Sequence, residues 1–235
     1  MNERTKHHDD LIKEFHRYMG DLTANMLVKT PISPTHVTII RFIFGVIAAY
    51  LIAEKSNDYS FSVIAAFCLY LFSMLDAADG SLAKKQGTGT VFGAWLDRVS
   101  DSLGFLLFFI GIAYHFYTIE LEPIWSVITM LTLVIAYMNK SNNHAIRARP
   151  IFSDLLSKKS KNDSEDHELD SHKELDLKTK IKRQLGPDFH KISAIIIFGL
   201  LVNDLKLTIV LLLSFLSAWW IYRTILVLIK AAKAQ

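Results

Sequence analysis

Four aspartates in one short stretch, LDAADGSLAKKQGTGTVFGAWLDRVSD (residues 75–101), are the residues best placed to do chemistry: Asp76, Asp79, Asp97 and Asp101. The first two are three positions apart and the last two four apart, so each pair projects from one face of a helix. Apolar runs flank the stretch, AAFCLYLFSM before it and SLGFLLFFIGIAYHF after it. A carboxylate beside hydrocarbon costs roughly a few kcal/mol, and four aimed into one space repel each other. A bound cation offsets both effects. All-oxygen ligands select Mg2+, Mn2+ or Ca2+. Four carboxylates suffice for two such ions, the arrangement that clamps phosphoryl oxygens during displacement.

The residues between the pairs suit a phosphate-bearing ligand. Gly80 and Gly93 remove side chains where a ligand could approach the backbone. Lys84 and Lys85 supply positive charge, and Gln86–Thr90 reads as the turn joining two helices. Each feature also has a plainer reading. Gly93, four residues before Asp97, suits close helix packing, and a lysine at a helix end suits the excess of Lys and Arg on the cytoplasmic side of membranes.

The elements that must position these residues are helices in a membrane. The chain has 235 residues, 51% of them hydrophobic, and a mean hydropathy of +0.27. Its apolar residues lie in long runs separated by charged pieces. The reading is all-α: a polytopic membrane protein with six transmembrane helices plus an N-terminal amphipathic interfacial helix. The spans are roughly Val37–Ala53, Phe61–Leu75, Leu103–Tyr117, Pro123–Met138, Ile192–Asn203 and Leu207–Ile229. The second and third continue as helix into the Asp-rich stretch, and the fifth begins before Lys191. Loops 54–60, 118–122 and 204–206 hold only Lys55 and Lys206, against several acids. The opposite side carries Lys84, Lys85, the lysine-rich 157–183 region and the C-terminal KAAKAQ, and is expected to be cytoplasmic. Both termini and the Asp-rich stretch then lie on that face.

The chain divides into two units: residues 1–36 as an N-terminal cytoplasmic or interfacial segment, and 37–235 as a six-helix catalytic domain with a charged cytoplasmic loop at about 150–190. Within the first, Leu11, Phe15, Tyr18, Leu22 and Met26 recur at helical spacing with charge opposite them. That pattern fits a helix lying on a membrane or one packed on protein. The charged segment 153–187 reads as a solvated loop, in which His167 and His172 need no ligand role. Cys68, alone in an apolar run, reads as a buried structural thiol. MNERTKHHDD lacks the apolar core of a secretory signal. A net charge of +3 says little about partners, and no nucleic-acid partner is expected.

The order Asp76-x2-Asp79-Gly80-x2-Ala83-Lys84-x8-Gly93-x3-Asp97-x3-Asp101 closely resembles the signature of the CDP-alcohol phosphatidyltransferases, Asp-x2-Asp-Gly-x2-Ala-Arg-x8-Gly-x3-Asp-x3-Asp. Seven of the eight fixed positions match. The departure is Lys84, which replaces an arginine thought to contact the CDP group; lysine keeps the charge and loses the planar fork. The family also tends to have a Pro-Asn-x-x-Thr element entering its first span. Here SPTHVTIIR keeps Pro34, Thr38 and Arg41 but has Thr35 in the Asn place. Thr38 suits either cytidine contact or an N-cap.

The resemblance implies a reaction in phospholipid biosynthesis. A hydroxyl attacks the β-phosphorus of a CDP-linked lipid such as CDP-diacylglycerol, CMP leaves, and the phosphatidyl group passes to a polar alcohol. It implies Mg2+ or Mn2+, with two ions, bound by Asp76, Asp79 and Asp97. Asp101 is the implied general base, able also to touch a metal. Thr38, Gly80, Ala83, Lys84 and Gly93 are implied for the nucleotide. Homodimers are common in the family. The alternative direction is a CDP-aminoalcohol (choline- or ethanolamine-type) donor with a diacylglycerol-like acceptor.

Family members that take a phosphorylated acceptor gather basic residues near the end of the fourth span and the start of the fifth. The corresponding residues here are Lys140, Arg147, Arg149, His190 and Lys191, which suit either a phosphate or the membrane edge. Asn143, in a polar patch with Asn139, Asn142 and His144, suits a polyol. Two rivals differ in class. An Asp-based membrane prenyltransferase needs two Asp-rich motifs on distant helices. A cation transporter has no need of the Gly80, Lys84 and Gly93 set.

Overall fold

A computed structural model describes residues 11–55, 59–148 and 187–232 of the chain. The described residues form helices and no strand: α1 (Leu11–Leu27), α2 (Pro34–Ala53), α3 (Tyr59–Gln86), α4 (Val91–Thr118), α5 (Pro123–Ala148), α6 (Phe189–Val202) and α7 (Leu205–Ala232). Each of the six expected apolar runs coincides with one of α2 to α7.

Local chemistry sets the helix ends that matter here. Ser33 caps α2, accepting from His36 N at 3.3 Å while Ser33 N donates to His36 Nδ1 at 3.2 Å, and Pro34 occupies the first turn. The N-cap expected as one role for Thr38 therefore belongs to Ser33. Thr38 sits deeper, where its hydroxyl is turned to a partner on another helix. Gly87, at φ +65, ends α3 in the left-handed region that glycine adopts without strain. Thr90 then caps α4 by accepting from Gly93 N at 2.9 Å. Both long helices thus run continuously through the Asp-rich stretch, as its spacing requires.

Among the described residues, four helices are long and apolar enough to cross a membrane: Pro34–Ala53, Tyr59–Gln86, Val91–Thr118 and Leu205–Leu226. The apolar parts of the other two are shorter, Pro123–Asn139 and Phe189–Val202. At ~1.5 Å per residue the 14-residue α6 extends about 21 Å, short of a hydrocarbon core of about 30 Å. It runs antiparallel beside α3, from His190 near Asp76 to Asn203, whose Oδ1 accepts from Ser62 Oγ at 2.9 Å.

α2 packs against both α3 and α4. The shared core holds Phe72, Phe108, Phe109, Phe116, Leu69, Ile112, Ile196 and Ile209, all essentially buried, and the buried Cys68 belongs to it. Small residues set the helix crossings, as is common where apolar burial gives no advantage over lipid. A Cβ on Gly111 would come within 2.6 Å of Ala49 O. Asn139 donates to Leu216 O at 3.1 Å and so fastens α5 to α7, a structural use for one member of the polar patch. Away from the aspartates, Lys206 Nζ reaches Glu120 (3.1 Å) and Glu122 (2.8 Å), and His115 Nε2 lies 3.2 Å from Glu120.

α1 runs beside the second half of α3. Gly20 faces Ala77, Ala24 is fully buried, and Lys85 Nζ donates to Asn25 Oδ1 at 2.7 Å and Asp21 O at 3.1 Å. Phe15, Tyr18, Leu22 and Met26 are left exposed. So α1 packs on protein through its small residues and turns its apolar row outward. The charged segment expected as a solvated loop, with His167 and His172, lies outside the described residues except for Pro187.

Candidate active site

The four aspartates converge, and they do so on a guanidinium. Arg41 is the one formally charged residue of α2, and its side chain is fully buried. Its Nη1 contacts Asp76 Oδ1 and lies 3.1 Å from Asp97 Oδ1 and 3.7 Å from Asp79 Oδ2. Its Nη2 donates to Asp101 Oδ1 at 2.9 Å and to Asp97 O at 3.2 Å. Thr38, one turn before Arg41, donates to Asp79 Oδ2 at 2.8 Å. The ring of Phe72 underlies the guanidinium, 5.2 Å from Cζ.

Four carboxylates face one guanidinium, so three negative charges stay unmatched by it. Asp76, Asp97 and Asp101 each offer an oxygen within 4.8 Å of the others. This donor set fits a hard divalent cation, whose charge answers that excess. The access is graded. The side chains of Asp97 and Asp101 are 39% and 34% exposed, Asp76 21%, and Asp79 only 9%. Three of the four expected ligands thus form the reachable group, and Asp79 stands deeper, bound to Thr38.

The glycines divide. A Cβ on Gly80 would meet nothing within 4 Å, so packing does not require glycine there and the backbone is open to a ligand. A Cβ on Gly93 would come within 3.0 Å of Thr90 Oγ1, the cap of its own helix, and 3.8 Å of Thr35 Oγ1, so glycine there leaves room for the capping turn. The lysines divide as well. Lys85 is committed to α1, whereas Lys84 is exposed beside the half-buried Ala83. A cavity of about 660 Å³ opens between the α1–α2 connection and the α3–α4 turn, lined in part by Thr35, Lys85, Gln86 and Thr90. Thr35, in the place where the signature element has Asn, is therefore a wall residue.

Of the residues considered for the acceptor, the structure brings His190 to the aspartates, its Nε2 3.8 Å from Asp76 Oδ2. Lys191 is buried, with Nζ 3.8 Å from Asp188 Oδ2. Lys140, Asn143 and Arg147 lie on α5, with side chains outside the described part of the structure, and Arg149 lies outside the described residues.

Sequence reasoning places Arg41 only within an element and misses its position at the centre. A signal was available: one arginine in the otherwise uncharged PTHVTIIRFIFGVIAAYLIA, which lipid would not tolerate without partners. Phe72 and His16, which stacks on His190 with ring centres 4.8 Å apart, gave no signal.

The chain is 34% identical over 93 residues to the bifunctional IPC transferase and DIPP synthase of Aquifex aeolicus, covering 40% of this chain and 19% of that protein. It is 32% identical over 112 residues to the archaetidylinositol phosphate synthase of Pyrococcus horikoshii, covering 48% and 54%. It is also 32% identical over 105 residues to the CDP-diacylglycerol–glycerol-3-phosphate 3-phosphatidyltransferase of Wigglesworthia glossinidia brevipalpis, covering 43% and 52%. The chain thus spans about half the length of two of these relatives and a fifth of the other. The family model for CDP-alcohol phosphatidyltransferase matches residues 32–156, more than half of the chain and the whole of the aspartate cluster with Thr38 and Arg41, and the protein belongs to that family.

Proposed function

We propose that this protein transfers a phosphatidyl group from a CDP-linked lipid, such as CDP-diacylglycerol, to the hydroxyl of a polar alcohol, releasing CMP. The observation that carries the reading is the convergence of four carboxylates from α3 and α4 on one buried guanidinium, open on the Asp97 and Asp101 side. One or two divalent ions, Mg2+ or Mn2+, held by Asp76, Asp79, Asp97 and Asp101, would supply charge neutralisation of the diphosphate and of the leaving oxygen.

The protein's own residues supply the rest. Arg41 holds the carboxylates in one constellation, and Thr38 fixes Asp79. Asp101 accepts from Arg41 through Oδ1 and takes the acceptor's proton as general base. The hydroxyl oxygen then bonds to the β-phosphorus, the bond from that phosphorus to the bridging oxygen breaks, and CMP departs with that oxygen. Open backbone at Gly80 and the exposed Lys84 receive the nucleotide.

In the membrane, α2 to α7 are read as six spans, with α5 and α6 as the short ones, and 37–235 as the catalytic domain. Residues 1–36 are read as an interfacial segment, supported by the outward row of Phe15, Tyr18, Leu22 and Met26 on α1. The lysines around the Asp-rich stretch support a cytoplasmic site with both termini on the same side. A homodimer is the family's habit and is adopted here. The names of two relatives carry an inositol phosphate or a glycerol phosphate, which favours an acceptor alcohol that itself bears phosphate. Presenting purified protein with CDP-diacylglycerol and labelled alcohols, with and without phosphate, tests this. Lipid product from glycerol 3-phosphate or an inositol phosphate is expected, and product only from uncharged alcohols would overturn the acceptor class.

A further inference from the structure

Asp76 is held from two sides. Its Oδ1 meets Arg41, and its Oδ2 lies 3.8 Å from Nε2 of His190. His190 stands in the first turn of α6, where Asp188 caps the helix by accepting from Lys191 N at 3.0 Å. Its neighbour Phe189 packs on Phe72, ring centres 5.4 Å apart, and Phe72 is the ring beneath Arg41. One helix turn therefore brings His190 to Asp76 and packs Phe189 on the ring beneath Arg41. On its far side His190 stacks on His16 of α1, with centroids 4.8 Å apart and 28° between the planes. His16 is 6% exposed. One turn further on, Gly20 brings α1 so close to α3 that a Cβ would come within 2.6 Å of Ala77 Cβ, next in sequence to Asp76.

We propose that His190 is a positioning residue for Asp76, and that His16 is the buttress that keeps His190 there. α1 is then part of the frame of the site as well as a surface helix. The inference rests on the reading of Asp76 as a metal ligand. A ligating carboxylate offers one oxygen to the cation, and its partner at the other oxygen sets its orientation. Loss of such outer partners typically costs about 10- to 100-fold in metal affinity or activity. Ordinary packing of His16 would instead lower the melting temperature and leave metal affinity unchanged.

The test is Mn2+ binding to the full chain in detergent, without substrate, read by the loss of the free-ion EPR signal, with thermal melting in parallel. His190→Ala and His16→Ala are each expected to weaken Mn2+ binding about tenfold. Because the two residues act in series, the double variant is expected to lose little more than either single one. His16→Phe, which keeps a stacking ring, is expected to restore most of the affinity, and His190→Gln to fall between His190→Ala and wild type. Wild-type affinity in both alanine variants would overturn the proposal, as would two losses that multiply. A wild-type chain that binds no Mn2+ would overturn the metal cradle itself, and this inference with it.

Discussion

Gly104 of α4 lies directly against the ring of Phe72, where a Cβ would come within 2.5 Å of Phe72 Cζ. Gly45 of α2 bounds the same ring, at 2.8 Å. The guanidinium shared by four carboxylates thus stands on an aromatic floor that two glycines admit into the crossing of α2, α3 and α4. The charge cluster and the helix packing are one structure. Gly104→Ala is expected to push the ring toward Arg41 and destabilise the protein by about 1–3 kcal/mol, with a fall in turnover. Pairing it with Phe72→Leu is expected to recover part of the melting temperature, and no recovery would show that the strain lies elsewhere.

Removing Arg41 tests the cluster from its centre. Arg41→Met leaves four carboxylates without their counter-charge; breaking a fully buried pair costs about 3–5 kcal/mol, and solvent at Asp97 and Asp101 brings the expected loss below that. Thermal melting is expected to fall accordingly, and added Mn2+ to raise it more in the variant than in wild type. Arg41→Lys keeps the charge but has one nitrogen where Arg41 reaches Asp97 and Asp101 with two, so an intermediate loss is expected.

Asp101→Asn tests the base with Asp76, Asp79 and Asp97 left in place. The substitution keeps the shape and removes the proton acceptor. Turnover is expected to drop about 10² to 10⁴-fold, while Mn2+ binding is weakened but retained through Asp76, Asp79 and Asp97, and CDP-lipid binding persists. Near-normal turnover would remove Asp101 from the role of base.

How far the sequence spoke depended on whether a contact was local. The pairs Asp76/Asp79 and Asp97/Asp101 were legible because helical spacing decides which side chains share a face, and Gln86–Thr90 because glycine and a capping threonine set its geometry. The continuity of α3 and α4 came from the same spacing. Arg41, 35 residues before Asp76, reaches the cluster only once α2 is laid between α3 and α4, and no periodicity reports that crossing. Phe72 read as one more apolar residue in AAFCLYLFSM, since its importance lies in what Gly45 and Gly104 omit. His190 was legible as a basic residue near a helix start, but its place beside Asp76 depends on α6 lying antiparallel to α3.

The end of the bundle away from the aspartates gives a control. Burial holds the Lys55 ammonium below the usual lysine range, against the opposing pull of Glu120 and Asp204. Folding therefore disfavours its charged form. That cost is fully present below the folded-state pKa and fades as pH rises toward the ordinary lysine value, so stability from this group rises with pH across that alkaline window. Lys55→Met is expected to raise the melting temperature at neutral pH, with a gain that shrinks as pH rises through the window, and to leave turnover unchanged. A large loss of turnover would tie this end of the bundle to the chemistry.

The most direct measurement is release of CMP from CDP-diacylglycerol by the purified protein, with an acceptor alcohol, as Mg2+ or Mn2+ is added and then chelated. CMP and a new phospholipid are predicted in equal amounts, both abolished by chelation and by Asp97→Asn. No CMP from any CDP-lipid or CDP-alcohol tried, or release indifferent to the metal and to Asp97, would contradict the metal-dependent transfer proposed for this site.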